Sequence, residues 1–588
     1  MILGNSGLLI KFGDYGEMEY LFYPNVGYEA HFFDGLFAVY DKNIKWCWDF
    51  KVSQVLEDFY LKSIYKGRDL EIVVKDYIPI SHDVLIKDIF IKNFGEKRNL
   101  KFFFYENLRV GEPPKENVVK YIDGNIVKIA NDYIFLISSS KKPSSYQCGH
   151  RYDKDSAYID IENGILKEND ESRGVLTDSA LCWEFEIDRS YNFKIFILSQ
   201  YKSNLDIALE QMKVIKHQIS NIKNITMTYY SRVLENALKN IDKEYLSYRK
   251  IIEKALINLL FLSDRSGGII ASPSLHPDYR YVWGRDGSYI AIALLLYGIK
   301  FPAERFFKFM AKVQNPNGSW LQNYFVNGKP RLTGEQIDQA GSVIWALNVY
   351  NRLYGNKEFL ERLWDMVEKA GNYLANSIFK PCFDLWEEKF AVFSYTTGAI
   401  YAGLKSAIEI GISLNKDIDE SWYRSLERLK RDVNKLYSEE KGRFLKSINP
   451  IFEEIDTSIL GLSYPFNLVK FEDERMIKTA EAIEKAFNYR VGGIGRYPED
   501  CYFGGNPWII TTLWLSLYYK KLYEILNISK YKDKSNQLFK WCLKYSFEGL
   551  FPEQVHKDLG VPVSALPLGW SNAMFLIYTA KRRDIIIP

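Results

Sequence analysis

Histidine and cysteine are scarce in this 588-residue chain, and the few present are scattered. The six histidines, at 31, 82, 150, 217, 276 and 556, form neither H-x-x-x-H nor H-x-x-E-H, which removes most metal-hydrolase chemistries. The six cysteines, Cys47, Cys148, Cys182, Cys382, Cys501 and Cys542, include no C-x-x-C pair, so neither a zinc site nor a disulfide framework is indicated. No stretch approaches the roughly 18 apolar residues of a membrane span, and the amino terminus lacks a basic segment followed by an apolar one. A cytoplasmic protein without a membrane partner is the expectation. The net charge is only +3 and no Lys/Arg block is present, so nucleic acid is not an expected partner. Also missing are G-x-S-x-G and any Cys/His grouping suited to a nucleophile. Gly492-Gly493-Ile494-Gly495 follows no strand signal and does not complete G-x-G-x-x-G, which leaves a dinucleotide site without support.

What is plentiful is aromatic surface, at 16% of residues. Aromatic side chains mostly fill cores, but their flat faces also stack on the C–H faces of sugar rings, so position has to separate the two uses. At this length one hydrophobic core is not enough, and two domains are expected. Up to about residue 200 short β-rich runs alternate with turn signals, as in Phe193-Lys194-Ile195-Phe196-Ile197, and Asp123-Gly124-Asn125 has the composition of a hairpin turn. This pattern predicts an antiparallel β-sandwich over 1–202. A charge-rich helical segment without Gly or Pro follows, predicted as a linker over 203–246. From 247 to 588 amphipathic segments recur, beginning with Ile251, Ile252, Ala255, Leu256, Leu259 and Leu260 on one helix face. About a dozen helices fit that length, which suits a barrel of paired helices but leaves a solenoid or irregular bundle equally open.

Five connections in the helical half gather Trp, Arg, Asp and Glu beside Gly and Pro. They are Tyr279 to Gly287, Trp320 to Asp338, Phe383 to Glu388, Gly492 to Trp508, and Phe551 to Gln554 with Leu566 to Ser571. Each taken alone has a commoner explanation: helix caps, core aromatics, or a solvated carboxylate. Together they offer carboxylates, arginines that can fork onto vicinal hydroxyls, and indole faces. Glycoside hydrolysis needs such a set, with one carboxyl to protonate the leaving oxygen and another to activate water or attack the anomeric carbon. In Trp386-Glu387-Glu388, burial of one carboxylate against a like charge and an indole is expected to raise its pKa.

In order, Tyr281-Val282-Trp283-Gly284-Arg285-Asp286, Asp384-Leu385-Trp386-Glu387-Glu388, Arg496-Tyr497-Pro498-Glu499-Asp500, Gly505-Asn506-Pro507-Trp508 and Glu553-Gln554 resemble the glucoamylases, glycoside hydrolase family 15. Gly4-Asn5-Ser6-Gly7 and Phe22-Tyr23-Pro24 are similar to the sandwich that precedes the catalytic domain in the prokaryotic branch. The resemblance implies an N-terminal antiparallel β-sandwich followed by a C-terminal (α/α) six-hairpin barrel. It implies Glu387 as general acid and Glu553 as general base of an inverting, exo-acting hydrolase, with no metal or cofactor. Arg285 and Asp286 would grip the terminal glucose in a pocket shaped by Tyr279, Trp283, Trp386 and Trp508, while Glu388 and Arg496 would reach the next sugar. Asn572 stands where many prokaryotic relatives carry His, and no role follows for Asp338, Glu499 or Asp500. Without an export signal or a following starch-binding module, a maltodextrin-like oligosaccharide is the expected substrate. An α,α-trehalase, an α-1,6-specific glucohydrolase and a non-catalytic carbohydrate-binding or regulatory homologue are the alternatives.

Overall fold

The computed structural model describes every residue except Asp58. Contacts divide it into two compact units, Met1–Val233 and Leu234–Pro588. The first holds two antiparallel sheets. One runs through Ile2–Gly4, Leu9–Phe12, Met18–Asn25, Tyr28–Asp41, Arg98–Arg109, Thr177–Ile187 and Ser145–His150, with Asn43–Trp46 paired to Tyr28–Asp41. The other has nine strands, from Glu171–Gly174 at one edge to Lys51–Glu57 at the opposite edge. Strand Tyr60–Lys66 shows why these segments choose sheet: Leu61, Ser63 and Tyr65 are buried while their neighbours are less so, a period of two. The two inner faces meet through rings, with Phe37 4.7 Å from Tyr65, Phe102 5.3 Å from Phe193 and Trp183 4.8 Å from Phe193. Asp123 and Gly124, both at positive φ (46° and 82°), form the two-residue turn that pairs Ile122 with Asn125. The last strand ends at Tyr201, and helices Leu205–His217 and Ile219–Leu238 follow.

The second unit is helical. Its main helices are α1 (Arg249–Phe261), α2 (Gly284–Leu296), α3 (Lys300–Val313), α4 (Ile337–Tyr354), α5 (Trp364–Ala375), α6 (Ser394–Ser413), α7 (Glu420–Asp432), α8 (Glu474–Ala486), α9 (Ile509–Leu526), α10 (Ser529–Lys544) and α11 (Gly569–Thr579). Two kinds of sequence sort them into two layers. Every residue of α2 and α11 is buried, as are the first fourteen of α4, because beyond a polar first turn these helices are largely apolar or small on all sides. In α7 only Trp422, Ser425, Leu426 and Leu429 are buried, the single stripe of a surface helix. The inner elements close a ring: α2 packs on α4, α4 on α6, α6 on the 3-10 segment Thr457–Leu462, that segment on α9, α9 on α11, and α11 on α2. Outside them α1 packs on α11, α3 on α2, α5 and α7 on α6, α8 on the 3-10 segment, and α10 on α9. Among the described residues no helix is long and apolar enough to cross a membrane.

The ring is tightest where α4 meets α6. A Cβ at Gly341 would lie 2.2 Å from the carbonyl oxygen of Ala399, and one at Gly403 would lie 2.7 Å from the Cα of Gly341. In isolation Gly341→Ala would gain about 1 kcal/mol of helix propensity. Here it has to push two backbones apart, and a net destabilisation of about 1–3 kcal/mol is expected. Thermal unfolding checks this: a lowered Tm is the expected result, and a Tm at or above that of the unaltered protein would show that α4 and α6 separate without cost.

Candidate active site

One cavity of about 350 Å³ opens in the helical unit. All ten residues singled out from the sequence line it: Tyr279, Trp283, Arg285, Asp286, Trp386, Glu387, Glu388, Arg496, Trp508 and Glu553. Tyr502, Leu568 and Trp570 complete much of the wall. The lining comes from the starts of inner helices. Trp283 immediately precedes α2, with Arg285 and Asp286 in its first turn; Trp508 precedes α9, Leu568 precedes α11, and the Glu387 loop leads into α6.

Arg285 is buried and aimed by what surrounds it. Its Nη1 donates to Asp338 Oδ2 at 3.1 Å and to Gln336 Oε1 at 3.4 Å, Nη2 lies 3.7 Å from Glu387 Oε1, and its guanidinium lies over Trp570. Burial opposes its charge, but Asp338, Asp286 and Glu387 outweigh that and hold it more firmly protonated than an ordinary arginine. Asp338, to which the sequence assigned no role, is thus the anchor of Arg285. Burial raises Asp286 to about 6, with Arg285 pulling the other way.

Glu387 and Glu388 lie on the hairpin between Cys382–Phe383 and Phe390–Phe393. Asp384 organises its tip, its Oδ1 accepting from the backbone N–H groups of Glu388 (2.8 Å) and Lys389 (3.0 Å). Glu387 takes φ = +65°, a left-handed conformation that costs a non-glycine residue roughly 1–2 kcal/mol. The sequence led us to expect the two adjacent carboxylates to press on one another, and they do not. Glu387 accepts from Trp283 Nε1 at 2.8 Å and from Gln322 Nε2 at 2.5 Å. Glu388 turns instead to Arg496 Nη2 at 2.7 Å and the Tyr497 hydroxyl at 2.5 Å. The kinked backbone at Glu387 separates them. In the same wall, Trp386 donates from Nε1 to Asp456 at 3.1 Å, and Asp456 is held by the buried Lys446 at 2.9 Å. Lys446 also lies 3.5 Å from Asp384.

Arg496 is clamped by Asp500, whose two oxygens accept from Nε (2.8 Å) and Nη2 (2.6 Å). The rings of Trp386, Tyr497, Tyr502 and Trp508 surround its guanidinium at 5.1–5.4 Å. Asp500 therefore supports the arginine, whereas Glu499 is exposed and does not line the cavity. Asn572 lies behind the wall: its Nδ2 donates to the carbonyls of Leu568 (2.7 Å) and Phe551 (3.5 Å), steadying the segments on either side of Glu553.

Glu553 is buried on a short ladder, its N–H bonded to the Ala565 carbonyl at 2.8 Å and its own carbonyl accepting from Ile509 at 3.2 Å. Ser564 Oγ donates to its Oε2, Gln554 Nε2 donates at 3.2 Å, and Tyr279 is a further donor. Tyr279 and Tyr502 join hydroxyls at 2.6 Å. Burial raises the Glu553 carboxyl to about 7, against the opposing pull of these donors. The sequence assigns no role to Gln322 and Tyr502, although both lie in the connections singled out, and does not single out Gln339, Lys446, Asp456 or Ser564. The last four lie outside the motifs, and their pairing with them exists only in the folded chain.

Ionising Glu553 inside the fold costs about 3 kcal/mol, from a shift of 4.5 to about 7. The cost is absent below pH 4.5, where the group is protonated folded or unfolded, and complete above pH 7. Glu553→Gln is accordingly expected to be more stable than the unaltered protein at pH 8.5, by up to about 3 kcal/mol, with the advantage shrinking toward pH 5. Urea unfolding at the two pH values tests this, and an advantage independent of pH would contradict it.

Comparison with known proteins bears on the chemistry. The model of glycosyl hydrolases family 15 matches residues 247–540. An uncharacterized glycosyl hydrolase of Methanocaldococcus jannaschii is 57% identical over 609 residues, covering 100% of this chain and 99% of its own. Trehalase 2 of Sulfolobus acidocaldarius is 24% identical, covering 68% of this chain and 74% of that protein. In fold, a bacterial glucoamylase solved with acarbose superposes with a TM-score of 0.81 at 19% identity, covering 100% of this chain and 95% of the other. Antiparallel sheets followed by a helical ring, a cavity furnished with paired carboxylates, and these similarities lead to one conclusion: the chain belongs to family 15 of the glycosyl hydrolases and is a glycoside hydrolase.

Proposed function

We propose that the protein is an inverting, exo-acting α-glucosidase that releases β-glucose from the non-reducing ends of maltodextrin-like oligosaccharides, on a catalytic barrel of six helical hairpins in which Thr457–Leu462 replaces one inner helix. The observation that carries this reading is that one cavity holds two carboxylates in unlike surroundings. Glu387 is partly exposed among N–H donors; Glu553 is buried among hydroxyls. Glu387 protonates the glycosidic oxygen as the bond to the anomeric carbon breaks. Glu553 takes a proton from a water attacking the opposite face, and the configuration inverts. Arg285 and Asp286 fork onto the hydroxyls of the terminal glucose, with Tyr279, Trp283 and Trp508 packing on its ring. Glu388, fixed by Arg496, meets the next sugar. Exo action follows where a chain terminus, rather than an unbroken polymer, fills this cavity of about 350 Å³.

A second reading, trehalose hydrolysis, is favoured by the similarity to a Sulfolobus acidocaldarius trehalase. Proton NMR of maltotriose, isomaltose and trehalose digests separates the readings. Early β-glucose from maltotriose is the expected result; early α-glucose would overturn the roles of Glu387 and Glu553, and preference for trehalose would replace the maltodextrin reading. Glu387→Gln and Glu553→Gln should each lower kcat by about 10² to 10⁴. Because Glu553, raised by burial, has to be ionised while Glu387 is protonated, kcat/KM should pass through a maximum with pH, and a profile flat from about pH 4 to 9 would count against the pair.

A further inference from the structure

The two oxygens of Glu387 have different kinds of partner. Oε1 receives Trp283 Nε1 at 2.8 Å and lies 3.7 Å from Arg285 Nη2. Indole and guanidinium only donate, so neither can accept a proton held on that oxygen. Oε2 meets the Gln322 side-chain amide at 2.5 Å. An amide offers a donor on one side and an acceptor on the other, exchanged by a half-turn. The structure around Gln322 keeps its backbone in place and leaves the side-chain amide free to turn. Strand Leu321–Tyr324 pairs with Pro330–Glu335, and the Gln322 carbonyl accepts from Gln339 Nε2 at 2.7 Å. Gln339 donates in turn to Gln336 at 2.6 Å, and Gln336 to the Asp384 carbonyl at 3.0 Å, which ties the Gln322 hairpin to the Glu387 hairpin. A Cβ at position 334 would lie 2.7 Å from the Gln322 amide oxygen, so the bare glycine there leaves the amide its room.

We propose that Gln322 is a positioning residue for the general acid: it holds Glu387 by Oε2, the oxygen that carries and delivers the proton, and its amide turns from acceptor to donor as the proton leaves for the glycosidic oxygen. The inference rests on Glu387 being the acid. Before transfer the O–H of Oε2 is satisfied by the amide oxygen. After transfer the new carboxylate keeps Trp283 and Arg285 on Oε1 and gains the Gln322 N–H on Oε2, so negative charge is stabilised only once it has formed. The charged groups around Glu387 are Arg285 and Asp286 on α2, Asp338 behind Arg285, Glu388 on its own hairpin, and Arg496 and Glu553 in the same cavity; a change at Gln322 alters none of them.

The test is the pH dependence of kcat/KM for the full-length protein with Gln322→Met and Gln322→Glu, beside Glu387→Gln. Gln322→Met, which keeps the length and removes both hydrogen bonds, should lower kcat about tenfold or more with little change in KM, and move the limb of the profile that reports Glu387 to higher pH because the ionised acid loses a donor. Gln322→Glu should move that limb further by placing a like charge beside Oε2. The limb that reports Glu553 should stay put in both. If neither limb moves in either variant while Glu387→Gln is inactive, Gln322 does not serve the acid and the proposal fails alone. If Glu387→Gln retains the unaltered rate, the assignment of the acid fails and takes the proposal with it.

Discussion

A helix buried on every side reaches solvent only at its ends, and this constraint organises the second unit. The inner helices α2, α4, α6, α9 and α11 are wrapped by neighbours along most of their length, so no lateral face is left for a ligand. Chemistry can be carried only where they begin or end. Trp283, Arg285, Asp286, Asp338, Trp508 and Trp570 all lie at or next to a helix start, and the Glu387 hairpin feeds α6. Helix starts also present unpaired N–H groups and a partial positive charge, a setting in which carboxylates and sugar hydroxyls find donors. The ring therefore supplies both the place and part of the electrostatics.

Within that frame the charged side chains are arranged in tiers. Arg285 faces the cavity because Asp338 stands behind it; Arg496 faces it because Asp500 grips its other edge. Trp386 is held by Asp456, and Asp456 by Lys446. Removing a rear member would leave a buried charge unpaired, which is far more damaging than the net worth of the pair suggests. These pairs do more for geometry than for stability, since each fixes one edge of a front residue while leaving the rest of it turned to the cavity.

The fold and the front tier were legible in the sequence for a definite reason. Alternation of apolar residues marks strands, all-apolar runs mark inner helices, and the motifs are short, local strings rich in Trp, Arg and Glu. The rear tier was not legible. Lys446 reaches Asp384 from 62 positions away in the chain, a separation that follows from the two numbers alone, and neither residue's local sequence announces the other. The amides of Gln322, Gln336 and Gln339 are neutral and common, so although the first two lie in a connection singled out from the sequence, nothing local assigns any of them a partner. Asp338 sat in what looked like a cap. The sequence also suggested the wrong partner for Glu387, because adjacency along the chain implied adjacency in space, and the positive φ at Glu387 undoes that implication.

The site concentrates features that a fold would otherwise avoid: a glutamate, Glu553, raised by burial to about 7, an aspartate, Asp286, raised to about 6, and Glu387 in a left-handed conformation. Each opposes folding, and each persists because the surrounding ring over-determines it. On the proposed mechanism these features have a use: the buried Glu553 carboxyl takes a proton more readily than an ordinary one, and Glu387, turned away from Glu388 by the backbone kink, would meet a leaving oxygen without sharing its hydrogen bonds with a second carboxylate. The close contact of α4 and α6 at Gly341 belongs to this same arrangement, because α4 carries Asp338 and Gln339 at its start while α6 anchors the hairpin of Glu387. Tight packing in the ring therefore bears directly on the distance over which Glu387, Gln322 and Arg285 are held together.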